Sequence, residues 1–185
     1  FSPNKWSVGW RYADCRQEKF KQRKGLTNMD VKIKLLSKTA KMPVKAHETD
    51  ACFDLYADCP DDTYYSWDIQ KDVAGIKIRP HETVKVKTGI ATAIPVGYWG
   101  AVFARSGLAT KQGLRPANCV GVIDADYRGE WIVALHNDST ETQIIKHGDR
   151  IAQAMILPVL PTTFEQVEEL PDTERGVGGF GSSGN

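Results

Sequence analysis

The sequence predicts an all-β domain, a sandwich, jelly roll or barrel, and three observations carry that prediction. First, apolar residues alternate with polar ones at period two: Val31, Ile33 and Leu35 around Lys32 and Lys34; Val84 and Val86 beside Lys85 and Lys87; then Trp131, Val133 and Leu135. Alternation of this kind marks strands with one face on a core and the other in water. Second, turn signals fall between the runs, at Arg79-Pro80-His81-Glu82, Pro95-Val96-Gly97, Asn137-Asp138-Ser139 and His147-Gly148-Asp149. Third, after residue 29 no helical period of useful length occurs, apart from a short stretch at Leu108–Gly113. Many short strands at close spacing make a closed or two-layered β fold.

The totals fit one domain with appendages. The chain has 185 residues, 41% apolar and 25% charged, with 24 Lys plus Arg against 23 Asp plus Glu. That is enough chain to bury a core without disulfides. No apolar run approaches the ~18 residues a membrane span needs, and no basic-then-apolar leader opens the chain. The expected compartment is therefore the cytoplasm, or the nucleus or host interior for a eukaryotic or viral source. Cys15, Cys52, Cys59 and Cys119 have no C-x-x-C spacing, so they read as reduced thiols packed as small apolar residues rather than zinc ligands.

Charge is placed unevenly. Residues 1–28 carry seven basic and two acidic side chains, with Trp6, Trp10, Tyr12 and Phe20 interleaved, and Gly25 is placed to end a short helix over Asp14–Lys24. A nucleic-acid arm, a leader, an upstream remnant and a partner-docking helix all suit this composition, and Met29 reads as an alternative start. The rest carries 17 basic and 21 acidic groups, which argues against a general nucleic-acid binder. The β domain is expected over 29–174, with an enlarged polar and aromatic loop at 59–78 that holds Tyr64, Tyr65 and Trp67. Pro158, Pro161 and Pro171 punctuate an extended stretch, able to span roughly 50 Å, that leads into a glycine-rich end at 175–185.

Five segments carry the chemistry. In the glycine-rich end, Arg175 offers a permanent charge suited to phosphate, and Phe180 stands alone among glycines with Ser182 and Ser183 nearby. A flexible linker is the plainer reading of such a run, and it lacks the G-K-[ST] of a Walker loop. Arg105-Ser106-Gly107 suits an anion at a helix start, although an ordinary strand-to-helix turn has the same composition. In Asn118-Cys-Val-Gly-Val122-Ile123-Asp124-Ala-Asp126-Tyr127-Arg128-Gly129-Glu130, an apolar pair runs straight into an acid and then a ring. That arrangement sets a carboxylate at a pocket mouth, where an ordinary Asp, pKa ~3.9, is ionised and can act as a base. Asp54 and the run Gly148-Asp149-Arg150-Ile-Ala-Gln153 complete the set. Together these segments supply a phosphate ligand, a hydrated metal and a base.

Taken in order, the five segments resemble the motifs of the trimeric deoxyuridine triphosphatases (dUTPases), over roughly residues 31–185. The resemblance implies a distorted jelly roll and a homotrimer with exchanged C-terminal segments, whose three sites each draw on all three chains. It implies hydrolysis of dUTP to dUMP and diphosphate with Mg2+, which removes dUTP from the nucleotide pool and supplies dUMP for thymidylate synthesis. By the same resemblance Asp124 is the general base. Tyr127 packs on the deoxyribose, Asn118, Val122 and Ile123 read uracil, and Ile132 meets the nucleoside. Arg105, Ser106, Gly107 and Gln153 bind phosphate, and Arg128 joins the substrate-binding set. Arg175 holds the terminal phosphate, Phe180 lies over the base, and Gly181, Ser182 and Ser183 close on phosphate. Asp54 holds a magnesium-bound water. dUTP and the other subunits are the expected partners, with neither membrane nor nucleic acid among them. The chain departs from the family pattern at Ala104, often proline, at Ala51-Cys52-Phe53-Asp54, where Gly-Tyr-Asp is commoner, and at Ser183, often threonine.

Two other readings use the same fold. A dCTP deaminase relative would need a second acid–base arrangement at the pyrimidine C4, for which no residues stand out. A nucleotide-dependent regulatory binding protein would use the enlarged loop and the aromatic N-terminus to engage a partner.

Overall fold

The computed structural model describes residues 29–60 and 75–179. Among the described residues the chain forms eleven strands and one short helix: β1 Lys32–Leu35, β2 Phe53–Tyr56, β3 Ile76–Ile78, β4 Thr83–Lys87, β5 Ile90–Ala93, β6 Tyr98–Phe103, α1 Ser106–Gln112, β7 Leu114–Pro116, β8 Val120–Ile123, β9 Ile132–Asn137, β10 Gln143–Ile145 and β11 Arg150–Pro158. No helix among them is long and apolar enough to cross a membrane.

All pairings between these strands are antiparallel. A four-stranded sheet runs β2-β11-β6-β8, a three-stranded one β4-β9-β7, and β1-β5 and β10-β3 form two-stranded pieces. Non-consecutive order within short antiparallel sheets is the arrangement of a jelly roll. The distortion lies in the fragmentation and in a register shift of β11 against β2 between Arg150 and Ala152. The core forms where the inward positions meet: Leu55, Ile78, Val86, Ile90, Leu114 and Leu135 are all fully buried. Burial of such side chains stabilises by about 1.5–3 kcal/mol each before the cost of ordering the chain.

The alternation at β4 and β9 holds as expected: Val86, Val133 and Leu135 are buried while Lys85 and Lys87 face out. Two expectations need correction, the single loop at 59–78 and the packing of Cys119. The stretch 59–78 is not one loop, because Ile76–Ile78 pairs with β10 and buries both isoleucines. Three residues are too few to show a period, and residues 61–74 lie outside the described ones. The helix begins at Ser106, at the start read from Arg105-Ser106-Gly107 and two residues before the Leu108–Gly113 stretch, and ends where Gly113 turns left-handed at φ 68, its N–H reaching the Leu108 carbonyl. Asn137 closes the turn signalled between β9 and β10, its Oδ1 accepting the Ser139 N–H two residues on. It ends β9 fully buried, donating to the Ile78 carbonyl at 2.9 Å and the Glu141 carbonyl at 2.8 Å, and accepting from Ser139. Of the cysteines, Cys59 is buried and Cys52 half-buried, but Cys119 is exposed; Cys15 lies outside the described residues.

Candidate active site

The first half of the site is a knot of charge at one end of the four-stranded sheet. Gln153 on β11 stands opposite Asp54 on β2 and, on its other side, opposite Phe103 on β6. The chain leaves β6 through Ala104 to Arg105, whose extended backbone (φ −87, ψ 128) starts α1. Arg105 Nε donates to Asp54 Oδ1 at 2.8 Å, and Arg150 Nη1 donates to Oδ2 at 3.2 Å. Arg105 Nη1 also reaches the Arg150 carbonyl at 3.3 Å, and Gln153 Nε2 donates to the Ala104 carbonyl at 2.9 Å.

Asp54 is nearly enclosed, with 12% of its side chain exposed, while Arg150 is half exposed. Two guanidiniums against one carboxylate leave a net positive corner. Each guanidinium carries five N–H donors, and these contacts engage two of Arg105's and one of Arg150's. Planar forks with donors to spare suit phosphate oxygens. Ser106 and Gly107 lie exposed beside them at the first turn of α1.

The second half is the segment that leaves β8. Ile123 ends that strand, Asp124 is exposed just beyond it, and the Tyr127 N–H donates to the Asp124 carbonyl at 3.2 Å. The Tyr127 hydroxyl donates to the Glu130 carbonyl at 3.0 Å. Arg128 turns back on its own loop, Nη1 donating to the Ala125 carbonyl at 2.6 Å and the Tyr127 carbonyl at 3.1 Å. Val122, Tyr127 and Ile132, which flank the acid in sequence, are 58%, 43% and 44% exposed and so offer apolar surface to a ligand. At the other end of β8, Asn118 is exposed and its carbonyl accepts the Val120 N–H at 2.6 Å. The segment 124–130 is not the turn of a paired hairpin. β8 pairs with β6, whereas β9 pairs with β4 and β7, so the segment crosses between sheets.

The two halves are not brought together within one chain. Gln153 pairs with Phe103, while Ile123 pairs with Gly100 and delivers Asp124 beyond it. Asp124 thus falls four β6 positions, about 14 Å at ~3.4 Å per residue, from the strand position that Phe103 and Gln153 share. Arg175 is apart from both: its Nε donates to the Gly178 carbonyl at 2.8 Å within an exposed turn. Phe180, Gly181, Ser182 and Ser183 lie outside the described residues.

Among the described residues, no group of three or more His, Cys, Asp or Glu side chains is set to hold a metal. Asp54 accepts one N–H on each oxygen, and a carboxylate has about four acceptor positions, so lone pairs remain for a metal-bound water. That donor set suits outer-sphere contact with Mg2+, which keeps its waters and is usually carried by phosphates. Sequence reasoning grouped Arg150 with the phosphate-binding segments, but the family resemblance assigned it no contact. Its position opposite Tyr56 at the bulge turns it onto Asp54, which no spacing rule reveals.

The family model described as dUTPase matches residues 38–184. The deoxyuridine 5'-triphosphate nucleotidohydrolase of Syntrophotalea carbinolica is 42% identical over 159 residues, 86% of this chain and 99% of that protein. The enzyme of the same name from Desulfitobacterium hafniense is 53% identical over 110 residues, 59% of this chain and 73% of that protein. Among solved structures, the dUTPase of Staphylococcus bacteriophage 80alpha with dUPNHPP matches at TM-score 0.67 and 32% identity, over 86% of this chain and all of that one. A mutant dUTPase from phage phi11 of S. aureus, in a structure that details coordination of a structural Mg(II) ion, matches at TM-score 0.60 and 27% identity, covering 76% of this chain and 98% of that one. Fold, ordered motifs and relatives agree, and the chain belongs to the dUTPase family.

Proposed function

We infer that this chain is a dUTP diphosphatase that hydrolyses dUTP to dUMP and diphosphate, clearing dUTP from the nucleotide pool, with sites shared among the subunits of a homotrimer. The observation that carries the shared-site reading is the separation of Asp124 from the Asp54–Arg105–Arg150 corner along β6. A second copy that sets its arginine corner against the first copy's Asp124 brings base and phosphate ligands onto one substrate.

Asp124, exposed at its loop, deprotonates a water aimed in line at the α-phosphorus. Val122, Ile123 and Ile132, with Asn118 and the loop backbone, hold uracil. Fixed backbone groups facing the N3–H and O4 of uracil meet reversed polarity in cytosine, at ~1–3 kcal/mol for each buried group left unpaired. The Tyr127 ring packs on the deoxyribose and leaves no room for a 2′-hydroxyl. Arg105, Arg150, Ser106, Gly107 and Gln153 bind phosphate oxygens, and Arg128 stiffens the loop that carries Tyr127. When bound, Mg2+ neutralises phosphate charge, and Asp54 touches one of its waters. Arg105 and Arg150 stabilise charge on the departing diphosphate. The segment 175–185, with Arg175, Phe180, Gly181, Ser182 and Ser183, closes over the substrate and excludes bulk water.

Exchange of C-terminal segments is supported by the tail itself. Leu160 and Phe164 are 80% and 98% exposed, an arrangement that favours burial against another chain. Between them and the glycine-rich end lie Glu165, Glu168, Glu169, Asp172 and Glu174, whereas Lys32, Lys34, Lys38, Lys41 and Lys45 mark the N-terminal side of the domain. An apolar cavity of about 420 Å3, lined by Met29, Ile33, Met42, Phe53 and Met155 among others, opens on that side.

The test is diphosphate release across the deoxynucleoside triphosphates with Mg2+ in 18O-water. Activity confined to dUTP, with label in dUMP, is expected. Label in the diphosphate, or ammonia from dCTP, would overturn the reading.

A further inference from the structure

Tyr127 is held from two sides. Its hydroxyl donates to the Glu130 carbonyl at 3.0 Å, and its ring lies on Gly129, where a Cβ would collide with the hydroxyl and the ring carbon that bears it. Any other residue at 129 therefore lifts the ring.

The Glu130 side chain leaves this loop the other way. Its Oε1 accepts the Gly89 N–H at 2.9 Å, across 41 residues of sequence. Gly89 is the left-handed turn (φ 67) between β4 and β5, and its carbonyl accepts the Leu36 N–H at 2.7 Å. A Cβ there would strike the Asp58 carboxylate and Ala40. Asp58 is in turn fixed by the Ser37 and Thr39 hydroxyls at 2.6 Å and 2.7 Å. Two further bonds run beside the Glu130 contact: the Trp131 N–H donates to the Ile90 carbonyl at 2.9 Å, and the Thr88 hydroxyl to the Trp131 carbonyl at 2.5 Å. The loop is thus stapled to the turn that follows β4, the strand with which β9 pairs, and the Glu130 carboxylate is the staple closest in sequence to Tyr127.

We propose that Glu130 is a positioning residue for sugar selection: its carboxylate docks the 127–130 loop on the Gly89 turn and so fixes how far the Tyr127 ring stands from the sugar. The proposal rests on Tyr127 as the deoxyribose-facing ring. A ring refuses one extra hydroxyl only if its position is held within about 0.5 Å, and an exposed loop does not hold itself that well. Gly129 supplies the seat, the Glu130 carbonyl the hook, and the carboxylate the anchor.

The experiment compares kcat/KM for dUTP and UTP, on the full chain with Mg2+, for wild type, Glu130→Ala, Glu130→Asp, Glu130→Gln and Tyr127→Ala. Loss of one hydrogen bond predicts a roughly three- to tenfold fall in the dUTP-to-UTP ratio for Glu130→Ala. Glu130→Asp keeps the charge but is one methylene (~1.5 Å) too short, so it should fall likewise. Glu130→Gln keeps the acceptor and should restore the ratio. Amide exchange at Gly89 should quicken in the first two variants and not the third. A ratio unmoved in Glu130→Ala and Glu130→Asp while Tyr127→Ala collapses it overturns the role of Glu130. A ratio unmoved in Tyr127→Ala overturns the sugar-facing reading, and the proposal with it.

Discussion

Asp54 and Arg105, 51 residues apart in the chain, are joined by a 2.8 Å ion pair that also draws in Arg150 from β11, the strand between β2 and β6. A single enclosed carboxylate thereby aims two guanidiniums at one corner. Removing it leaves two cations with no opposite charge beside them and free to rotate. Asp54→Ala should lower kcat/KM for dUTP by about 10²-fold through lost orientation. It should also cost about 1–3 kcal/mol of stability, read from urea unfolding. Kinetics within twofold of wild type would show that the arginines are aimed by something else.

Asp124→Asn keeps the shape of the side chain and removes the proposed base. Turnover should drop about 10²–10⁴-fold while dUTP affinity, measured by equilibrium binding, stays close to wild type. Near-normal turnover would dismiss Asp124 from that role.

Removal of residues 175–185 takes away the closing segment but not the exposed apolar tail before it. The trimer should persist in sedimentation, and turnover should be suppressed. A fully active truncation would rule out the lid.

Phe164 presents almost its whole ring to solvent in the isolated chain. Phe164→Asp should weaken assembly, since a buried Phe contributes about 1.5–3 kcal/mol and a charge in its place adds a penalty. Sedimentation across a dilution series reports it. An unchanged trimer would place the tail elsewhere.

Burial raises the pKa of the Cys59 thiol, and the nearby Asp58 and Asp149 charges add to it. The native thiol therefore keeps its proton to higher pH than an unfolded one, which titrates near ~8.5. The associated stability is complete below that value and is lost as pH rises from it towards the raised native value. Urea midpoints from pH 8 to 10 should decline in wild type and decline less in Cys59→Ala. Equal slopes would contradict the assignment.

The strands at β4 and β9 were legible in the sequence because one buried face imposes period two on residues such as Val84, Val86, Val133 and Leu135. β3 was not, since three residues carry no period, and nothing local separates the end of a loop from Ile76-Lys77-Ile78. The path of the segment 124–130 is hidden for a related reason. Two apolar runs around a short acidic turn have the local pattern of a hairpin, yet β8 pairs with β6 whereas β9 pairs with β4 and β7.

The motifs around Asp54, Arg105, Asp124 and Gln153 were fixed by residue type and order, because phosphate binding and proton abstraction demand particular side chains wherever they sit. Their grouping was decided by strand register alone. Register joins Asp54 to Arg105 and Arg150, parts them from Asp124 along β6, and sends Glu130 across to Gly89. Side-chain chemistry is a local property of the chain, whereas distance between strands depends on which edges pair, and pairing is settled by the packing of the whole core.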